Sequence, residues 1–135
     1  DIDPEGEKLA TKYVQEHNSS DIVFLTHYPK KNRPFYAMPS KENPELTDSF
    51  DLIFRGIEIT TGGQRIHNYD QLLSSMIAAG INPEKCAGYL MAFKYGMPQH
   101  GGMGIGLERL TMTLLGLQNV REASLFPRDR TRYSP

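Results

Sequence analysis

"SFDLIFRGIEITTGGQRIH", residues 49–67, decides the fold. Two strand-like runs meet at Arg55-Gly56, which predicts a β-hairpin with a two-residue turn and Phe54 opposite Ile57. In that register Ile53 faces Glu58, Leu52 faces Ile59 and Asp51 faces Thr60. Asp51 and Glu58 then share a face as diagonal neighbours, roughly 7–8 Å apart, too far to share a proton but suited to converging on one cation. Leu52, Phe54, Ile57 and Ile59 line the other face as a core stripe. The acid face, with Ile53 its one apolar exception, is therefore expected to floor a polar cleft. A solvated strand side carrying two surface acids fits the same spacing.

Arg65 lies an odd number of positions from Glu58, so a regular strand sends the two to opposite faces. The adjacent glycines Gly62 and Gly63 predict a bulge or a close backbone approach, and one bulge residue would turn Arg65 onto the Glu58 face. Arginine holds a carboxylate through two parallel hydrogen bonds. An internal salt bridge to a nearby acid is the competing role.

Outward from the hairpin the period changes. "DIDPEGEK" starts a helix, with Asp3 as N-cap and Pro4 at its first position, and Leu9, Tyr13 and Val14 form its apolar side. "SDIVFLTHY" reads as a buried strand, "PKKNRP" as an exposed basic loop and "FYAM" as a short strand. Beyond the hairpin, Leu72, Leu73, Met76 and Ile77 make a helical stripe ending at Gly80, and Asn82-Pro83 starts a second helix with Tyr89, Leu90 and Phe93. "HGGMGIGLERLTMTLLGL" runs from a glycine-rich strand into a helix with Leu107, Leu110, Leu114 and Leu117. Without repeats or a linker, this predicts one α+β domain whose mainly antiparallel sheet is flanked by helices.

The 135 residues, 39% hydrophobic and 23% charged, suit a soluble domain with its own core, and a net charge of −1 supplies no overall basic field for nucleic acid. Cys86 is the single cysteine, which excludes an internal disulfide and a cysteine-cluster zinc site and fits a reducing, cytoplasmic compartment. No apolar run approaches the roughly 20 residues that span a bilayer, and no leader is expected. The start at Asp1 suggests a fragment.

"GGMGIGLER", residues 101–109, meets neither the dinucleotide fingerprint nor the P-loop pattern. What remains is a strand on whose bare backbone something flat or bulky lies. Arg109 falls in the first turn of the following helix, where the macrodipole disfavours a cation. An anion there would reverse that balance, making this a candidate phosphate site. Pairing with Glu108 or plain solvation is the alternative.

Together, the hairpin and "YGMPQHGGMGIGLERLTMTLLGLQNVREASLFPRDR" resemble the C-terminal part of the catalytic domain of class II aminoacyl-tRNA synthetases. Gly104-Ile105-Gly106-Leu107-Glu108-Arg109 is similar to their motif 3, at about residues 101–117. "EITTGGQRIH" and "SLFPRDR" are most similar to the aspartyl-tRNA synthetases within that class. The resemblance spans nearly the whole chain, 1–135, and implies a class II catalytic-domain fold, in part. It implies that Arg109 packs on the adenine of ATP and meets the γ-phosphate, and that Gly106, Leu107 and Glu108 line the nucleotide site. Glu58 becomes a magnesium ligand at the ATP phosphates, with Asp51 as a second acid and Thr61 as a hydroxyl touching substrate and Mg2+. Arg65 becomes the grip on the side-chain carboxylate of L-aspartate. Thr61 sits uneasily with the hairpin, since regular alternation puts it on the apolar face; either the bulge begins before it or the register differs.

The implied reaction adenylates aspartate and transfers it to tRNA without a protein nucleophile, so the four histidines and Cys86 are expected to be structural or on the surface. Motif 1, with the family's homodimer interface, motif 2 and an anticodon-binding barrel have no counterpart in these residues, and little or no aminoacylation is expected from them alone. Two other readings remain open. One is an asparaginyl-tRNA synthetase or a related asparagine-forming ligase; the other is a non-catalytic synthetase-like paralogue or binding module.

Overall fold

The computed structural model describes residues 2–133. In chain order they form helix α1 (Pro4–Asn18), strands β1 (Ile22–Thr26), β2 (Ser49–Phe54) and β3 (Ile57–Arg65), helices α2 (Tyr69–Ala78) and α3 (Ala87–Lys94), strand β4 (His100–Ile105) and helix α4 (Leu107–Leu115). Short 3₁₀ turns lie at Lys30–Asn32, Pro83–Cys86 and Val120–Ala123. The strands form one antiparallel sheet in the order β1-β2-β3-β4, flanked by helices, which is the expected α+β arrangement. No helix among the described residues is long and apolar enough to cross a membrane.

The hairpin turns where expected. Arg55 and Gly56 both take positive φ, 49° and 81°, as a type I′ turn requires. Arginine is an unusual choice at such a φ, and its side chain is tied down: Nε donates to Asp21 at 2.8 Å and Nη1 to the Thr113 carbonyl at 3.3 Å. Helix α1 rides on this turn. Its cap is the expected one, Asp3 accepting the Gly6 N–H at 2.8 Å with Pro4 in the first turn. The face it buries, however, is not the expected stripe. Leu9 and Tyr13 are 69% and 61% exposed, and the buried residue is Thr11, whose hydroxyl accepts the Gly56 N–H at 3.1 Å. A short polar side chain lets the helix backbone approach the turn closely, which a leucine at that position would prevent.

The contacts of the chain gather into two compact units. The first comprises Thr26–Phe50 and Gly62–Met103, the second Ile2–Leu25, Asp51–Thr61 and the chain from Gly104 onward. In the first, Met38, Ile66, Leu72, Met76, Leu90 and Phe93 form the core, with Cys86 packed half-buried against it. The stripe on α2 is thus correct for Leu72 and Met76, while Ile77 is 60% exposed. "FYAM" contributes a single bridge, Ala37 to Arg65, flanked by Met38 N–H to Gln64 carbonyl and Ile66 N–H to Tyr36 carbonyl hydrogen bonds.

In the second unit the leucine stripe of α4 is only half right. Leu110 and Leu117 are half-buried, whereas Leu107 and Leu114 are exposed and Thr113 is buried. Leu114 follows Thr113 by one residue, about 100° round the helix, so the buried arc is centred short of the predicted stripe. The two hairpin faces are also not divided as expected. Asp51, Ile53 and Thr60 are all buried, while Leu52 and Ile57 of the supposed core face are only half-buried. Ile53, the apolar exception on the acid face, is 1% exposed and anchors that face against protein.

Gly56 is the position where the turn is most sensitive. An added Cβ would stand 3.0 Å from Lys8 Cγ and hold an L-residue at φ 81°. Gly56→Ala is expected to lower the unfolding free energy by about 1–2 kcal/mol, read as a lower urea midpoint at unchanged slope.

Candidate active site

In a regular strand successive carbonyls point to opposite sides. In β3 they do not. The Glu58 carbonyl accepts from Arg109 Nη1 at 3.0 Å, and the next carbonyl, of Ile59, accepts the Gly106 N–H at 2.8 Å. Both donors belong to the beginning of α4, so the strand is bulged at this point. Burial agrees: Ile59 and Thr60 are buried in succession and Thr61 is exposed. The bulge therefore lies at Glu58–Thr60, and of the two expectations for Gly62-Gly63, a bulge or a close backbone approach, it is the close approach that holds. The two glycines serve close packing instead. A Cβ on Gly62 would lie 2.8 Å from the Gly102 carbonyl and from Phe50 Cζ, and one on Gly63 would lie 2.8 Å from the Asp48 carbonyl.

The bulge removes the difficulty with Thr61. Within the second unit, Glu58, Ile59 and Thr61 line one open recess of about 740 Å³ together with Gly104, Gly106, Glu108 and Arg109. Asp51 is buried and does not line it, so the expected pairing of Asp51 with Glu58 across one face is not what frames the recess. The recess is also bounded by Arg121 and by Ser124, Phe126 and Arg128 of the "SLFPRDR" stretch, none of which has an expected role from sequence. Arg121 pairs with Asp129 at 2.7 Å. Hydrogen bonds from the Thr131 main chain and hydroxyl hold the Asp129 carboxyl below the usual carboxylate range. Among the described residues, neither Arg109 nor Arg128 has a carboxylate within salt-bridge distance.

Arg109 thus does not pair with Glu108. Its guanidinium is held by a neutral acceptor, and its stem packs on Gly106, whose added Cβ would be 3.5 Å from Arg109 Cβ and Cδ. Gly106, the N-cap of α4, offers no side chain to cap the first turn. Uncapped N–H groups, the positive end of the helix dipole, Arg109 and Arg128 give this side of the recess an excess of positive charge suited to an anion. Glu58 and Thr61 supply hard oxygen donors. That donor set fits Mg2+, which takes one or two carboxylates and completes its shell with water and phosphate oxygens. No cluster of three or more His, Cys, Asp or Glu side chains able to hold a metal occurs among the described residues.

Arg65 belongs to the first unit. Its guanidinium lies against the Gly102 backbone, so near that an added Cβ would stand 2.9 Å from Nη2. The flat group expected on the glycine-rich strand is, here, a side chain of the protein. The Tyr36 ring is also close, with the guanidinium carbon 5.2 Å from the ring centroid. Among the described residues Arg65 has no acid partner, so the internal salt bridge considered from sequence is not made. A guanidinium exposed in this way has the planar, two-pronged donor geometry that matches a carboxylate. Tyr89, edge-on to Phe35 and tilted against Phe93, also faces this charge. Burial raises its hydroxyl pKa above the ordinary value, and Arg65 partly offsets the rise.

The family described as "tRNA synthetases class II (D, K and N)" matches residues 1–130. The chain is 56% identical over its whole length to the aspartate–tRNA(Asp/Asn) ligase of Thermus thermophilus, of which it covers 32%. Its structure resembles the aspartyl-tRNA synthetase of Entamoeba histolytica with a TM-score of 0.95 at 38% identity, covering all of this chain and 28% of that one. It also resembles the asparaginyl-tRNA synthetase of the same organism in complex with asparaginyl-adenylate, with a TM-score of 0.88 at 38% identity over all of this chain and 30% of the other. The chain spans about a third of the length of the curated relatives it matches.

The Arg65 environment makes one titration informative. A cation favours the phenolate, so Arg65→Met removes the effect that opposes burial, and the Tyr89 pKa is expected to rise further. Tyrosine ring NMR across alkaline pH reads it; an unchanged or lowered Tyr89 pKa would show that Arg65 does not act on this ring.

Proposed function

We propose, from the premise that the chain belongs to the class II tRNA synthetases of the D, K and N group, that it is part of an aspartate–tRNA ligase. In this reading residues 1–135 form the C-terminal part of the catalytic domain, with motif 3 at about residues 101–117. The observation that carries it is Arg65, a guanidinium seated on Gly102 and Tyr36 with no acid partner among the described residues. Such a group discriminates a side-chain carboxylate from a neutral amide through two charge-assisted bonds.

The reaction begins when the α-carboxylate of aspartate attacks the α-phosphate of ATP. Aspartyl-adenylate forms and pyrophosphate leaves; the aspartyl group then passes to the terminal ribose of tRNA. Arg109 meets the γ-phosphate and packs on adenine, kept in place by its bond to the Glu58 carbonyl. Gly106, Leu107 and Glu108 line the nucleotide. Glu58 and Thr61 would hold Mg2+, which when bound neutralises phosphate charge; Asp51, buried away from the recess, takes no part in this reading. No residue needs to form a covalent intermediate, because orientation and electrostatic stabilisation carry the step. The longer protein would act as a cytoplasmic homodimer. A second reading, asparagine activation, is favoured by the likeness to the asparaginyl-tRNA synthetase and is opposed by the unpaired charge of Arg65.

Calorimetry of Mg2+-ATP binding, with aspartate or asparagine present, tests this reading. Aspartate is expected to strengthen ATP binding and asparagine to do so less. Arg65→Ala should abolish the aspartate effect, and Arg109→Ala should weaken ATP by roughly 1.5–3 kcal/mol, a loss of ten- to hundredfold. A preference for asparagine, or ATP binding indifferent to both amino acids and to Arg65, would contradict it.

A further inference from the structure

At the bulge in β3 two side chains take hold of the Glu58 main chain. Arg109 donates to its carbonyl at 3.0 Å. On the other side of the residue, the Glu58 N–H donates to Glu7 Oε2 at 3.1 Å, across 51 positions of sequence. Glu7 is well placed to hold that bond. It lies in the first turn of α1, where the helix dipole favours a carboxylate, and it is half-buried. One turn further on, Thr11 accepts the Gly56 N–H and donates to the Glu7 carbonyl at 3.0 Å, so α1 is keyed to the hairpin at two consecutive turns.

We propose that Glu7 is a positioning residue for Glu58: its carboxylate and the Arg109 guanidinium fix the two peptide groups that flank the Glu58 Cα and thereby aim the Glu58 carboxylate into the recess. The inference rests on the reading of that recess as the Mg2+-ATP site. Glu7 itself does not line the recess, so it acts through the main chain it holds and not through its own charge. Two consequences follow from that distinction. Glutamine keeps a side-chain oxygen that accepts the same N–H, so Glu7→Gln should behave as the parent chain does. Alanine leaves the N–H to water, and Glu7→Ala should loosen the aim of Glu58. Groups that orient a metal ligand are worth roughly 10–100-fold in metal affinity or activity.

The test combines two readouts on this chain. Amide hydrogen exchange reports the Glu58 N–H directly: protection is expected in the parent chain and in Glu7→Gln, and loss of it in Glu7→Ala. Calorimetry then compares ATP affinity with and without Mg2+. Glu7→Ala should lose about tenfold or more of the magnesium-dependent part and little of the magnesium-free part. Thr11→Val controls for general loosening, since it removes the neighbouring tie between α1 and the turn without touching Glu58; its magnesium-dependent affinity should stay within about twofold of the parent. If Glu7→Ala loses protection at Glu58 yet binds Mg2+-ATP as the parent does, Glu7 is structural only and the inference falls while the nucleotide reading stands. If Glu7→Gln fails together with Glu7→Ala, Glu7 acts by charge, and positioning is again wrong. If the folded parent chain binds no Mg2+-ATP at all, the nucleotide reading of the recess is lost, and this inference with it.

Discussion

The site depends on a break in the hydrogen-bond alternation of β3. Because two consecutive carbonyls, of Glu58 and Ile59, turn toward the start of α4, the strand gains one position, and Glu58 and Thr61 can border the same recess. Regular alternation would keep them on opposite faces. The break is stabilised from outside the strand, by Glu7 on the N–H and by Arg109 and Gly106 on the two carbonyls. Buried main-chain groups must find partners, so a bulge persists only where the surroundings supply them. Helix α1 and the first turn of α4 are, in that sense, part of the strand.

The same logic of incomplete neutralisation runs through both units. A fold under selection for stability alone would place an acid beside an exposed arginine or let the side chain move freely in water. Arg109 is instead held by a neutral carbonyl, and Arg65 lies against the bare backbone of Gly102 and near the Tyr36 ring. Neither has a carboxylate within salt-bridge distance among the described residues. A cation fixed before a ligand arrives lowers the ordering cost of binding, which is what the proposed nucleotide and carboxylate roles would need. Glycine contributes at Gly102 and Gly106 by being absent in side chain, one under the guanidinium of Arg65 and the other beneath the stem of Arg109.

What could be read in the sequence followed local chemistry. Arg55-Gly56 specified a turn and Asp3-Pro4 a helix start, and the resemblance to motif 3 pointed to Arg109, which lines the recess. What could not be read depended on distant partners. Nothing in Glu58-Ile59-Thr60 marks a bulge, since all three side chains sit acceptably in a regular strand; the adjacent glycines were the visible signal and they serve packing instead. Glu7 is one of several acids on α1, and only the fold distinguishes it from Glu5 or Glu16. Apolar periodicity likewise identified which residues share a helix face but not which face is covered, so Thr11 and Thr113 were missed as the buried contacts while Leu9 and Leu107 were taken for core. Arg128 lies inside the "SLFPRDR" stretch that carries the resemblance, but its place on the recess depends on a fold that the stretch alone does not specify.

The central claim is that the bulged segment of β3 and the first turn of α4 together receive the metal-bound triphosphate. Paramagnetic broadening by Mn2+ in place of Mg2+, with ATP bound, locates that ion against the backbone amides one by one. The account predicts that the amides of Glu58, Thr61 and Gly106 broaden first and that those of α2 and α3 stay sharp. Broadening centred elsewhere, with the Glu58 and Thr61 amides unaffected, would contradict it.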